Sequence, residues 1–400
     1  MMETAKGNRL HITIFGRRNV GKSSFMNAFL NQLRSIVSST PGTTTDPVEK
    51  AYELQPLGPI LITDTAGIDD NGELGQKRIE KTNFKLKETD FAYLITNPNE
   101  ITEYETDLIT KFKEHHVPFM IIVNKTDTVS KEELAEFKNR LTALHVHIGF
   151  CSSLTQQGID EIKSKTIKIL EDFLPNPPII SDLVKTGQKV ILVIPIDKEA
   201  PVGRIILPQV QTLRELLDIG AVTIAVRDTE LAEALASIKP KTDLVVTDSQ
   251  AFSKVSQIVP KDVTLTSFSI LYARQRGDLN AYIDGAKIIP SLKENDNILI
   301  AELCSHRPIA EDIGRIKIPK WLEDYTKVKL NFDTSSGKDF PEDLSKYKLI
   351  IQCGGCMVNR RLIVSRIKSA LNQKVAITNY GILIAYLNGI LPRTLEIFSK

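Results

Sequence analysis

The chain has 400 residues, 42% apolar and 25% charged, with 51 Lys and Arg against 49 Asp and Glu. That is ordinary globular composition, which excludes disordered and collagen-like chains, and at roughly 150 residues per domain it predicts two to three domains. A net charge of +2 with no Lys/Arg-rich block gives no nucleic-acid footprint.

The predicted fold is α/β in three units: a phosphate-loop domain at 1–174, then two smaller α/β domains at 179–265 and 266–400 with mainly parallel sheets. Alternating strands and helices in each unit imply sheets covered on both faces. Leu174-Pro-Asn-Pro-Pro178 closes the first unit, because no helix or central strand runs through it. The second break, near Val263–Ser267, is softer.

In the first unit the predicted strands are His11–Phe15, Ile60–Thr63, Phe91–Thr96 and Phe119–Asn124, with a helix at Lys131–Leu144. Gly16-Arg-Arg-Asn-Val-Gly21-Lys22-Ser23-Ser24 falls between a strand and a helix and fits the phosphate-loop pattern. Its glycines let backbone N–H groups turn inward, and the helix adds its positive end. Gly16, Asn19, Val20, Gly21, Lys22, Ser23 and Ser24 form the predicted phosphate site. Lys22 reaches the β- and γ-phosphates and Ser23 ligates Mg²⁺.

Further elements follow in order. One of Thr43 to Thr45, with Thr44 favoured, closes on Mg²⁺ and the γ-phosphate. In Asp64-Thr-Ala-Gly67, Asp64 holds Mg²⁺ through water and the Gly67 N–H contacts the γ-phosphate. In Asn124-Lys125-Thr-Asp127, the Asp127 carboxylate accepts two hydrogen bonds from guanine that adenine cannot offer. Ser152 and Ser153 follow a strand at Gly149–Cys151 and support the base. The ordered set predicts a site for GTP and GDP with Mg²⁺.

These motifs resemble the TrmE-Era branch of small GTPases over about residues 9–172. Ile68 stands where GTPases such as Ras carry the glutamine that orients the attacking water. The resemblance implies a substitute for that glutamine and for an arginine finger, a K⁺ ion held by Asn19 in the phosphate loop, and K⁺-stimulated hydrolysis that is slow without such help.

The middle unit predicts strands at Lys189–Ile194, Ala221–Val226 and Asp243–Thr247, with helices near Val210–Asp218, Glu230–Ile238 and Gln250–Ile258. Val202-Gly-Arg204 reads as a turn. The last unit predicts strands at Ile298–Leu303, Val328–Phe332, Lys348–Gln352 and Lys374–Thr378. Gly381–Leu387 reads as a buried helix, too short for a membrane. Trp321 reads as packing and Cys151 as a structural core cysteine.

Three of the four cysteines fall in Cys304-Ser-His306 and Cys353-Gly-Gly-Cys356. Each segment follows a predicted strand, so neighbouring parallel strands would bring both to one carboxyl edge. The spacing points to a metal on Cys304, Cys353, Cys356 and the uncertain fourth ligand His306. Cys₃His suits tetrahedral zinc, and three cysteines with one weaker ligand suit a 4Fe–4S cluster with an exchangeable corner. Spacing alone does not separate the two.

A GTPase unit, a middle α/β unit and a C-x-H…C-x-x-C unit together resemble the FeFe-hydrogenase maturation GTPases across nearly the whole chain. That resemblance implies a 4Fe–4S cluster on Cys304, Cys353 and Cys356. It implies a scaffold or carrier that receives a di-iron precursor from two radical maturation enzymes and delivers it to apo FeFe-hydrogenase. It also implies a homodimer through the middle unit. Many members carry a histidine directly before C-x-x-C, whereas this chain has Gln352. The competing expectation is an RNA- or ribosome-associated GTPase with a structural zinc module, disfavoured by the near-neutral charge. Met1-Met-Glu-Thr-Ala-Lys-Gly7 lacks a signal peptide's apolar core, so the expected setting is cytoplasmic, with no membrane or nucleic-acid partner.

Overall fold

The fully apolar runs become central strands. Phe91–Thr96 and Phe119–Val123 are buried at every position, as strands covered on both faces must be. The computed structural model describes residues 7, 9–31, 48–65, 84–98, 101–173, 177–196, 205–303, 313–337, 339–355 and 358–399. They fall into two compact units, Met1–Pro175 and Asn176–Lys400.

The first unit holds β1 (Leu10–Phe15), β2 (Val48–Leu54), β3 (Gly58–Asp64), β4 (Phe91–Thr96), β5 (Phe119–Val123) and β6 (His147–Phe150). Their order is β2-β3-β1-β4-β5-β6, parallel except where β2 pairs antiparallel with β3. The sequence reading did not anticipate β2. Val48-Glu-Lys-Ala-Tyr-Glu-Leu54 is a largely exposed edge strand with no apolar run. It forms because a tight turn at 55–57 folds it back on β3, a connection open to antiparallel strands only. The helices Glu103–Glu114 and Lys131–Thr142 start on capping boxes, Thr102 with Glu105 and Ser130 with Glu133.

The second unit carries two all-parallel sheets. The first is β7 (Lys189–Val193), β8 (Val222–Val226), β9 (Leu244–Thr247) and β10 (Thr264–Ser267), ordered β10-β9-β7-β8. The second is β11 (Asn297–Ala301), β12 (Asn331–Ser335), β13 (Leu349–Gln352) and β14 (Ala376–Asn379), ordered β12-β11-β13-β14. They share the helix Phe268–Arg276: Phe268, Leu271 and Tyr272 join the core of the first, Ile270 and Ala273 that of the second. Near the end of the chain, Arg393 donates to the carbonyls of Ser256, Val259 and Pro260 at 3.1, 2.9 and 2.7 Å. Ile397 is buried in the core of the first sheet. These two links make one compact unit of the two sheets.

The strand expected at Val328–Phe332 starts three residues later, at Asn331, and runs on to Ser335. Leu330 is buried and Val328 packs on the core ahead of the strand, while β12 itself is a polar, mostly exposed edge. The helix Tyr380–Leu387 is buried from Gly381 to Ala385, as expected. Among the described residues no helix is long and apolar enough to cross a membrane. Residues 202–204 lie outside the described residues.

Gly285 lies within the helix Leu279–Lys287, where a Cβ would run into the backbone of Ile377 in β14. Helix propensity favours Ala by about 1 kcal/mol, but overpacking costs about 1–3 kcal/mol and a backbone neighbour cannot yield. Gly285→Ala is therefore expected to lower the thermal transition of this unit, read from the single tryptophan, Trp321. An unchanged transition would contradict this packing.

Candidate functional site

The chain leaves β1 at Phe15 and must turn sharply into the helix Lys22–Phe29. Gly16 at φ 146° and Gly21 at φ 92° make that turn, in backbone regions that favour glycine. A Cβ at Gly16 would press on the Ile95 carbonyl, and one at Gly21 on the Asn124 amide. Lys22 is 8% exposed. Its Nζ donates to the carbonyls of Gly16 at 2.9 Å and Arg17 at 2.8 Å, which sets the ammonium within the loop. Ser23 and Ser24 stand exposed at the start of the helix.

Ser23 Oγ donates to Asp64 Oδ2 at 2.5 Å. The other oxygen, Oδ1, is buried without a hydrogen-bond partner. Burial pushes the carboxyl pKa up, against the pull of Ser23 and Lys22. A hydroxyl beside an orphaned carboxylate oxygen is a hard-cation donor set, and it fits Mg²⁺. Thr44 and Gly67 lie outside the described residues.

Asn124 ties the base loop to the phosphate loop. Its Nδ2 donates to the Val20 carbonyl at 3.1 Å, and its Oδ1 accepts from Ser153 N at 3.0 Å and Ser153 Oγ at 2.8 Å. Lys125 Nζ donates to the Asn19 carbonyl at 2.7 Å, across the same gap. Asn19 and Asp127 are exposed, the latter on the 3₁₀ turn Thr126–Thr128. Buried Ser152 holds its own loop: its Oγ accepts from Thr155 N at 3.2 Å and its N–H donates to Gln157 at 3.1 Å. Cys151 is buried among apolar neighbours, and burial pushes its thiol up to about 12. It is a packed, protonated core cysteine.

One residue of this site escaped the sequence reading. Arg17 Nε donates to Glu105 Oε1 at 2.7 Å, and the fully buried Glu105 also accepts from Thr102 N at 2.9 Å through Oε2. The capping box Thr102-x-x-Glu105 is visible in sequence. That its carboxylate also braces the phosphate loop is not, since the partners lie far apart in the chain.

The second site stands at the carboxyl edge of the last sheet. With order β12-β11-β13-β14, the chain steps from β11 to one side and then crosses to the other. The topological switch point therefore lies between β11 and β13, where open α/β sheets bind ligands. Ala301 pairs with Gln352 at that edge. Just beyond, Leu303 N donates to Cys353 Sγ at 3.1 Å and Cys353 N donates to the Ala301 carbonyl at 3.0 Å. Gly355, at φ 66°, keeps the following turn tight; a Cβ there would meet Leu303 and Ile363 at 2.8 Å. A sulfur that accepts a backbone N–H, backed by a turn with no room for a side chain, suits a thiolate–metal bond. Zinc and an iron–sulfur cluster fit it alike. Cys304, His306 and Cys356 lie outside the described residues.

Gln352, which stands at the family's histidine position, is fully buried. Its Nε2 donates to Tyr282 Oη at 2.9 Å, and its Oε1 has no hydrogen-bond partner. Burial first, and then the charge of Cys353, hold the Tyr282 phenol above its ordinary range. Two further groups at this edge gave no sequence signal. Glu302 accepts from Arg315 Nη2 at 2.7 Å and from Ser336 Oγ at 3.2 Å, and buried Arg276 donates to the carbonyls of Gly355 and Val358.

Three family descriptions match the chain. Residues 11–125 match a 50S ribosome-binding GTPase, 179–277 the hydrogen maturase F dimerization domain, and 280–397 the hydrogen maturase F tetramerization domain. The chain is similar to GTPase Der of Deinococcus deserti, 30% identical over 167 residues, 40% of this chain and 38% of the relative. It is also similar to the tRNA modification GTPase MnmE of Clostridioides difficile, 32% identical over 158 residues, 39% and 33% of the two chains. The chain thus spans under two fifths of the length of these relatives. A solved structure of Aquifex aeolicus Era is similar at 19% identity and a TM-score of 0.36, over 55% of this chain and 94% of that one. The resemblance read from sequence implied dimerization; the tetramerization match adds an assembly role for the last part of the chain that was not anticipated. With a phosphate-loop GTPase domain followed by both of these assembly domains, the chain belongs to the hydrogen maturase F family.

Proposed function

We propose that this protein is a cytoplasmic GTPase and an iron–sulfur scaffold or carrier, assembling or delivering the di-iron subcluster precursor to apo FeFe-hydrogenase. One finding carries the reading over a zinc module: two hydrogen maturase F domains follow the GTPase domain, and Cys353 at the switch point of the last sheet, with Leu303 N 3.1 Å from its sulfur, offers a thiolate suited to a metal. The same chain holds a GTP site. The functional division is a GTP-binding unit at 1–174, a dimerization unit at 179–265 and a cluster unit at 266–400. The partners are the two radical maturation enzymes and the apo-hydrogenase.

In the GTP unit, Lys22 balances β- and γ-phosphate charge, while Ser23, Thr44 and Asp64 hold Mg²⁺. The Gly67 N–H contacts the γ-phosphate. Asp127 selects guanine, and Asn124, Lys125, Ser152 and Ser153 shape the base loop. Asn19 holds K⁺ in place of an arginine finger, and without that help turnover is slow, as suits a switch.

In the cluster unit, Cys304, Cys353 and Cys356 would hold a 4Fe–4S cluster, with His306 as the candidate fourth ligand. When bound, the cluster supplies one exchangeable iron corner that can bridge to incoming cargo. The chain's own residues orient it: the Leu303 N–H fixes the Cys353 sulfur, and Gly355 keeps the turn behind it closed. Gln352 is held in the core by Tyr282 and leaves His306 as the candidate fourth ligand. The alternative, an RNA- or ribosome-associated GTPase with structural zinc, has the first domain's match to a ribosome-binding GTPase in its favour. It gives no role to the hydrogen maturase F domains that follow.

The two sites are expected to separate by mutation. Lys22→Ala should abolish GTP turnover while leaving iron content unchanged, and Cys304→Ala should remove the cluster while leaving hydrolysis largely intact. Loss of GTP binding in Cys304→Ala would refute the two-site division. Hydrolysis should run faster in KCl than in NaCl at equal ionic strength; equal rates would remove K⁺ from Asn19.

A further inference from the structure

In the second unit, helical segments flanking both sheets surround a cavity of about 440 Å³. They are the turn Ser249–Ala251 and the helix Phe252–Ile258 after β9, the helix Ile318–Thr326, and the helix Tyr380–Leu387 after β14. The volume falls among small-molecule clefts, which run from about 300 to 1,000 Å³. No residue of the GTP site or of the Cys353 turn lines it.

Trp321, Asp324 and Tyr325 are spaced i, i+3 and i+4, so one helix face sets two aromatic rings beside a carboxylate. Ile384 and Leu387 supply an apolar wall, and Gln250, Ser253 and Asn388 add neutral polar groups. Asp324 is the one charged residue among the lining side chains. Its carboxylate makes no ion pair or hydrogen bond among the described residues, and Lys320, one helical turn earlier, does not reach it. Lys254, next to Ser253 in the chain, is taken by Asp228 at 2.7 Å. The Gln250 side chain and Ser253 Oγ are likewise uncommitted, while Asn388 spends its Nδ2 on the Ile384 carbonyl at 2.7 Å and keeps its Oδ1. The cavity is therefore rich in acceptors and negative. An anionic ligand would meet Asp324 with no cation beside it, and a purely apolar one would strip water from a carboxylate without replacing it. A guanidinium carries five N–H donors and no acceptor, and its flat face stacks on aromatic rings.

We infer that this cavity binds a small guanidinium compound on a short apolar stem. The cation lies on Asp324 between the Trp321 and Tyr325 rings, and the stem runs along Ile384 and Leu387. Neither the metal nor GTP enters this inference.

Trp321 is the single tryptophan of the chain, so its emission reports on the cavity directly. The full chain is titrated with butylguanidine and, separately, with its neutral isostere butylurea. Butylguanidine is expected to give a saturable change, with butylurea binding at least about tenfold more weakly, the loss expected for a hydrogen bond to a charged group. Asp324→Asn is expected to weaken butylguanidine by a similar factor, and Gln250→Glu, which adds a carboxylate, to tighten it. No saturable change, equal affinity for the two compounds, or an unaltered affinity in Asp324→Asn overturns the inference. Should Asp324→Asn fail to fold, Gln250→Glu decides: tighter binding supports the inference, and unaltered or weaker binding overturns it. An arginine-containing peptide that binds where butylguanidine does not would assign the cavity to a protein partner and overturn it as well.

Discussion

In a parallel sheet every strand delivers its chain to the same edge, and both sites of this protein depend on that constraint. Right-handed crossovers return the chain to the start of the next strand, so the loops that follow successive strands gather at one edge. In the first unit the register pairs Ile14 with Asp64, Thr96 with Val123, and Val123 with Phe150. The phosphate loop, the Asp64 carboxylate, Asn124 and Ser152 all begin within a residue or two of those ends. In the last sheet the pairing of Ala301 with Gln352 does the same for Leu303 and Cys353. Chemistry dispersed along the sequence becomes local because the hydrogen-bond ladder aligns the strand ends.

Alignment alone does not shape a site; the short loops between strand and helix do. Gly16, Gly21 and Gly355 take backbone angles that other residues resist, and each has neighbours where a side chain would stand. Asn124 then links base and phosphate loops through Val20 and Ser153, so neither loop is set independently of the other. Lys22 is held by the carbonyls of Gly16 and Arg17, which places its charge in the loop that phosphate is to enter.

Much of this was legible in the sequence because nucleotide chemistry imposes both residue type and spacing. A glycine-framed loop ending in Lys22-Ser23, an aspartate after a strand and an Asn-Lys-x-Asp run each state a local geometry. The apolar runs of β4, β5 and β13 stated the sheets. What remained hidden lacks local spacing. β2 is a polar edge strand set by its hairpin, and β12 hides behind a more apolar stretch that packs without pairing. Arg17 with Glu105, Arg315 with Glu302, and Arg276 with Gly355 join residues that only the folded chain brings together. The match of residues 280–397 to a tetramerization domain likewise had no counterpart in the motifs, because assembly is read by surfaces, and surfaces carry little periodic pattern.

Whether Cys353 at the switch point, together with Cys304 and Cys356, carries iron decides the proposed function. Iron and acid-labile sulfide should be measured on the full chain purified and kept without oxygen. The account predicts roughly four of each per chain. Stoichiometric zinc with neither iron nor sulfide would contradict it.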